Sequence, residues 1–144
     1  MKALRMEVDL DLALAMCATA RQAATESGAL VSVAVVDAGG HLIAFTRMDG
    51  AEIAGPVLAR DKAFTAVAHR CATHELAEAV APGGDLVGMN AADGGRYIAF
   101  AGGVPLWSEG RVVGGVGVSG GTGAQDRAAA ENAAAVFVDA EAQS

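Results

Sequence analysis

Apolar and polar positions recur along this chain with two different periods, and the changes of period mark out its elements. From Asp9 to Ser27 the spacing is helical, with Leu10, Leu14 and Cys17 on one face and Met16 and the alanines beside it. Asp9 is placed to cap this helix, Asp11 suits its first turn, and Gly28 is a stop signal. From Leu30 to Arg47 the period drops to two. Val31, Val33 and Val35 alternate with Ser32 and Ala34, Asp37-Ala38-Gly39-Gly40 supplies a turn, and Leu42 to Thr46 returns as the partner strand before Asp49-Gly50.

Helical spacing resumes at Gly55-Pro56, where proline suits a first turn. Val57, Phe64, Ala68 and Cys71 form the face expected to pack on a sheet. A second stripe, Leu58, Lys62, Thr65 and His69, runs along another face of the same helix. Thr73 is placed to cap a short helix, His74 to Val80, which Pro82-Gly83-Gly84 ends. Residues 81–95 form a glycine-rich connection of the binding-loop kind.

Arg96 to Phe100 and Val104 to Ser108 are expected as a hairpin through Ala101-Gly102-Gly103. After a turn at Glu109-Gly110 comes a last strand, Arg111 to Ser119. The last helix is expected from about Gly123 to Ala140, with Thr122 and Gln125 as its capping box and Val136, Phe137 and Ala140 on its apolar side. The order of helix, two strands, two helices, three strands and helix predicts an α/β (α+β) fold. Its sheet is a five-stranded antiparallel one packed by helices.

Composition narrows what this fold can do. The length of 144 residues fits one domain, 1–144, and 53% hydrophobic with only 4% aromatic residues leaves alanine and valine to fill its core. A net charge of −7 without any basic run argues against nucleic acid. Cys17 and Cys71 lack metal-ligand spacing and are expected as buried free thiols. Lys2 and Arg5 precede Glu7, Asp9 and Asp11, which interrupt any signal-peptide core, and no apolar run approaches the ~20 residues of a membrane span. A cytoplasmic protein is the expectation.

Several motifs match in letters but not in context. Gly115-Val116-Gly117-Val118-Ser119-Gly120 spells G-x-G-x-x-G, yet it lies in a hairpin strand with no strand after the last helix, so the dinucleotide reading fails. Gly117 to Gly121 spells a nucleophile elbow, but His41, His69 and His74 all lie upstream. His74-Glu75 lacks the second histidine of a zinc-protease helix, and no metal site is expected.

Two features carry chemistry. The Leu58–Lys62–Thr65–His69 stripe is either a solvated face or the wall of a pocket or interface. In the pocket reading, a buried Lys62 acts as general base or imine-forming amine on a small organic acid or carbonyl compound. Ser119, Gly120 and Gly121 lead into the last helix and offer a carboxylate cradle, with Arg47 or Arg96 assisting. Asp37 suits an Asx-type turn bond first and a ligand contact second.

Val33 to Leu42, Arg47 to Ala51, Lys62 to Ala66, Gly102 to Leu106 and Val113 to Gly121, taken together and in order, resemble the GlcG/HbpS-like haem-binding family. That family also includes the C-terminal domain of some corrinoid adenosyltransferases. The resemblance spans residues 9 to 140. It implies a profilin-like fold, assembly into homo-oligomers, commonly octamers, and haem or tetrapyrrole binding, with haem degradation or redox sensing as roles. Carried over by position, it points to Asp37, Arg47, Asp49, Gly50, Lys62, Thr65, Gly103, Pro105 and Ser119-Gly120-Gly121. The axial ligand is then His69, Thr65 or Met48, because the first helix holds no histidine. The competing expectation is the cofactor-free enzyme with Lys62, Thr65 and Asp37 as its catalytic residues.

Overall fold

The computed structural model describes residues 7–144, so Lys2 and Arg5 lie outside the described residues. Helix α1 spans Leu10–Ser27. The Asp9 side chain accepts from Leu12 N–H at its start, and Ala29 N–H returns to the Ala24 carbonyl at its end. Strands β1 (Ser32–Asp37) and β2 (Leu42–Arg47) follow as an antiparallel pair. Helix α2 spans Gly55–His69 with Pro56 in its first turn. A 3₁₀ turn, Thr73–Leu76, runs into the short helix α3, Ala77–Val80.

The last strands, β3 (Gly103–Ser108) and β4 (Arg111–Ser119), pair antiparallel across Glu109-Gly110, both with positive φ as a tight hairpin turn requires. Helix α4, Gly123–Ala142, closes the chain with the expected Thr122–Gln125 capping box.

The sheet has four strands in the order β2-β1-β4-β3, all antiparallel, where five were expected. Arg96 to Phe100 runs alongside without joining a ladder, because threonine hydroxyls take its backbone groups. Thr65 Oγ1 accepts from Ile98 N–H at 3.0 Å and also approaches the Arg96 carbonyl. Thr73 Oγ1 donates to the Phe100 carbonyl at 2.6 Å. Thr73 is therefore an anchor for this segment rather than a helix cap, and Glu75 instead accepts from Ala72 N–H.

Helices cover both faces of the sheet. On one face α1 and α4 pack around Val33, Val35, Val116, Val118 and Phe137. On the other, α2 lies over Ala34 and Val36. The valine–serine alternation of β1 thus describes a strand buried on both sides, not a half-exposed one.

The apolar face assigned to α1 turns differently. Ala13, Met16, Cys17, Ala20 and Ala24 face the core, whereas Leu10 and Leu14 are exposed. In α2 the inward residues are Ala59, Lys62, Ala63, Thr65 and Ala66, while Val57 points outward. Small residues win here because β4 meets the helix with glycine. A Cβ at Gly117 would collide with the Ala59 carbonyl, and one at Gly115 would sit 2.8 Å from the Ala63 carbonyl. The helix backbone rests directly on the strand, and the G-x-G spacing serves that contact.

Candidate functional site

Lys62 is the one large polar side chain in this tight layer. It is 1% exposed, and its Nζ donates to the Val118 carbonyl at 2.8 Å and to Asp126 Oδ2 at 3.2 Å. The Phe100 ring lies 5.1 Å away, and Gly102 leaves room for the ammonium, since a Cβ there would stand 2.8 Å from it. Burial pushes the Lys62 amine below the usual lysine range, and the Asp126 carboxylate pulls it partly back. Asp126 in turn accepts Gly121 N–H on Oδ1 at 2.8 Å. One carboxylate thus joins the lysine of α2 to the loop that starts α4.

This pairing joins residues 64 positions apart, which no local pattern in the sequence reveals. The usable signal was an acidic residue in the first turn of a helix, opposite a lysine surrounded by alanines.

The remaining predicted residues fall in separate places. Thr65 is buried beside Lys62, and its hydroxyl also donates to the Asp61 carbonyl at 2.7 Å. Gly103 lies beneath the Lys62 carbonyl and donates its N–H to Thr73 Oγ1. Asp37 is on the other face of the sheet from Lys62, in the parity of Val33 and Val35, and lines a groove of about 310 Å³ with Val8 and Val113. Its carboxyl accepts from Gly39 and His41 N–H, and the His41 ring sits 3.3 Å away. Partial burial pushes that carboxyl upward, but the His41 and Gly39 N–H groups and the His41 ring outweigh it and hold it below the ordinary value.

Arg47 and Ser119 both pair with Ser32, at the end of the sheet where α2 begins. Met48 follows Arg47, and its sulfur accepts Val31 N–H at 3.3 Å. Gly120 and Gly121 line a groove of about 490 Å³ with Gln125. Two of the N–H groups there are already in use: Gly121 donates to Asp126, and Thr122 donates to Gln125 Oε1.

His69 closes the opposite end of α2, half-buried, with its ring edge-on to Tyr97 at 5.6 Å. Tyr97 also packs on Phe64, over which the Arg96 guanidinium lies at 3.3 Å. The structure therefore brings Lys62, Thr65 and Gly103 together, ties Lys62 to the Ser119–Gly121 loop through the Val118 carbonyl and Asp126, and sets His69, Asp37 and Arg47 apart from them.

Sheet order, a helix layer on each face and a lysine sealed against the sheet define the class, an α+β fold with α1 and α4 on one side and α2 on the other. The sequence matches the family described as haem degrading protein HbpS-like over residues 8–135. The chain belongs to this family.

The crystal structure of the Klebsiella pneumoniae protein ORFY is 36% identical, with a TM-score of 0.90 over 96% of this chain and 94% of that one. The crystal structure of the PduOC:haem complex is 36% identical, with a TM-score of 0.87 over 91% of this chain and 95% of that one. Corrinoid adenosyltransferase PduO of Citrobacter freundii is 44% identical over 107 residues, which are 74% of this chain and 32% of that protein. The chain thus spans about a third of PduO. Among the described residues no helix is long and apolar enough to cross a membrane.

Proposed function

We propose that the chain acts as one domain that binds haem or a related tetrapyrrole, and does so as a homo-oligomer. The observation that carries this reading is the similarity to PduOC, solved as its haem complex and alike in fold over 91% of this chain. The donor chemistry at one end of α2 supports it. The Thr65 hydroxyl is saturated by backbone partners, and the Met48 sulfur is engaged by Val31. Of these three expected ligands His69 alone has no hydrogen-bond or ion-pair partner among the described residues, only the edge of Tyr97, so its imidazole is the free donor of the three.

Tyr97 supplies flat apolar surface beside it, and Arg96, which lies over Phe64 and meets Asp61 and Asp93 only at 3.9 and 3.8 Å, would exchange those carboxylates for a propionate. When bound, haem would supply a redox-active iron. The chain's own residues orient the imidazole through Tyr97 and hold the carboxylate through Arg96.

This wall is one-sided, which fits closure by a second copy. At the other end of α2, Ile53, 94% exposed, and the neighbouring Val57 offer apolar surface for assembly. The proposal extends to an octamer, to action in the cytoplasm, and to haem degradation or redox sensing as the use made of the iron.

Hemin titration tests the reading. A Soret shift saturating near one haem per chain is expected, with His69→Ala raising the half-saturation point by about tenfold or more. Met48→Leu should leave it unchanged. Absence of any spectral change in the wild-type protein refutes the proposal.

A further inference from the structure

Arg21 of α1 and Arg47 at the end of β2 line one groove of about 550 Å³, together with Thr46, Met48 and Asp49. Neither guanidinium has an ion pair or a hydrogen-bond acceptor among the described residues, in contrast to Arg96 and Arg127, which meet carboxylates. Asp49 shares the groove, yet it too has no ion pair among the described residues. In a chain with 17 acidic and 10 basic residues, two unpaired arginines on one groove run against the prevailing charge.

A guanidinium presents a planar fork that matches one carboxylate through two parallel N–H···O bonds, so two forks on one groove match two carboxylates. Met48, the residue after Arg47 on the groove wall, is held in place by its sulfur, which accepts Val31 N–H at 3.3 Å.

We propose that Arg21 and Arg47 bind the two carboxylates of a small dicarboxylate, at a site separate from the His69 wall. Arg47 pairs with Ser32, on which the first residue of α2 rests, whereas His69 is the last residue of that helix. The helix has 15 residues and so is about 20 Å long. The proposal does not depend on haem binding.

Calorimetric titration of the full chain with succinate tests it, with acetate as the single-carboxylate control. Saturable binding of one succinate per chain is expected. Arg21→Gln and Arg47→Gln should each weaken it by about tenfold or more, the size of one charged hydrogen-bonded contact. Acetate should bind weaker than succinate by a similar factor, and His69→Ala should bind succinate as the wild type does. Both arginines are exposed, and unchanged urea midpoints will show that the variants fold. Lack of saturation, acetate binding as tightly as succinate, or wild-type affinity in either arginine variant overturns the site. Displacement of succinate by hemin from the His69→Ala protein assigns the arginines to a tetrapyrrole and overturns the separate site.

Discussion

Replacing Lys62 with methionine isolates the energetic role of the buried pair. Methionine keeps the apolar stem among Ala59, Ala63 and Phe100 but removes the ammonium from the Val118 carbonyl and Asp126 Oδ2. Both acceptors are buried, and Asp126 is left with Gly121 N–H as its partner. Breaking a buried ion pair from one side costs about 3–5 kcal/mol. The surviving Gly121 bond places Lys62→Met near the lower end, about 3 kcal/mol. For a protein of ordinary stability, about 5–15 kcal/mol, that is a large fraction.

Urea unfolding at pH 7 measures the loss as a fall in midpoint at constant m. Adding Asp126→Asn to Lys62→Met removes the stranded charge while the amide oxygen still accepts Gly121 N–H, so the double variant should recover about 1–2 kcal/mol over the single one.

A pH series adds a second readout. Burial lowers the Lys62 pKa below its unfolded value of 10.5, so between the two the unfolded chain holds the extra proton and stability rises with pH. The contribution stops changing above 10.5, and Lys62→Met removes it. A loss under about 1 kcal/mol at pH 7, or a double variant as unstable as the sum of the singles, refutes this account of the pair.

Two further outcomes follow from the same geometry. Gly117→Ala forces a methyl against the Ala59 carbonyl, and a cost of about 1–3 kcal/mol is expected in urea unfolding; Gly110→Asn, in the open turn after Glu109, should cost little. Asp37 has a folded pKa below 3.8, so its contribution is present above 3.8 and is lost as pH falls through the folded value. Its carboxyl is 46% exposed, which makes the effect small, and an NMR titration of the Asp37 carboxyl with a midpoint at or above 3.8 contradicts the hydrogen-bonded turn.

Much of the element order is legible from periodicity, because Asp9, Gly28, Pro56, Thr122 and the Glu109-Gly110 turn act through local backbone chemistry. Arg96 to Phe100 reads as a strand because its own residues permit one. What denies it a ladder is two threonines more than twenty residues upstream, and no local pattern carries that. The inward face of α2 departs from its hydrophobic pattern for a similar reason. Valine outranks alanine in a hydrophobic pattern, yet Gly115 and Gly117 let only small residues and the helix backbone fit beneath.

The site divides in the same way. Helical spacing places Lys62, Thr65 and His69 on one stripe, but only the tertiary structure turns Lys62 inward to Asp126 and leaves His69 at the rim. Asp37 is twenty-five residues before Lys62, and strand parity puts the two on opposite faces of the sheet.

The bare strand under α2 has a consequence for how this sequence can change. Lys62 reaches across to the Val118 carbonyl and to α4 only because Gly117 and Gly103 let the α2 backbone at Ala59, Lys62 and Ala63 lie against β4 and β3. A side chain at either glycine lifts the helix and withdraws the ammonium, leaving Asp126 without its counter-charge although neither ionic residue was altered. Glycine, lysine and aspartate therefore form one coupled unit spread over four elements. Drift at any one is cheap only after the buried charge has been given up, so the order in which substitutions arrive decides which of them the fold survives.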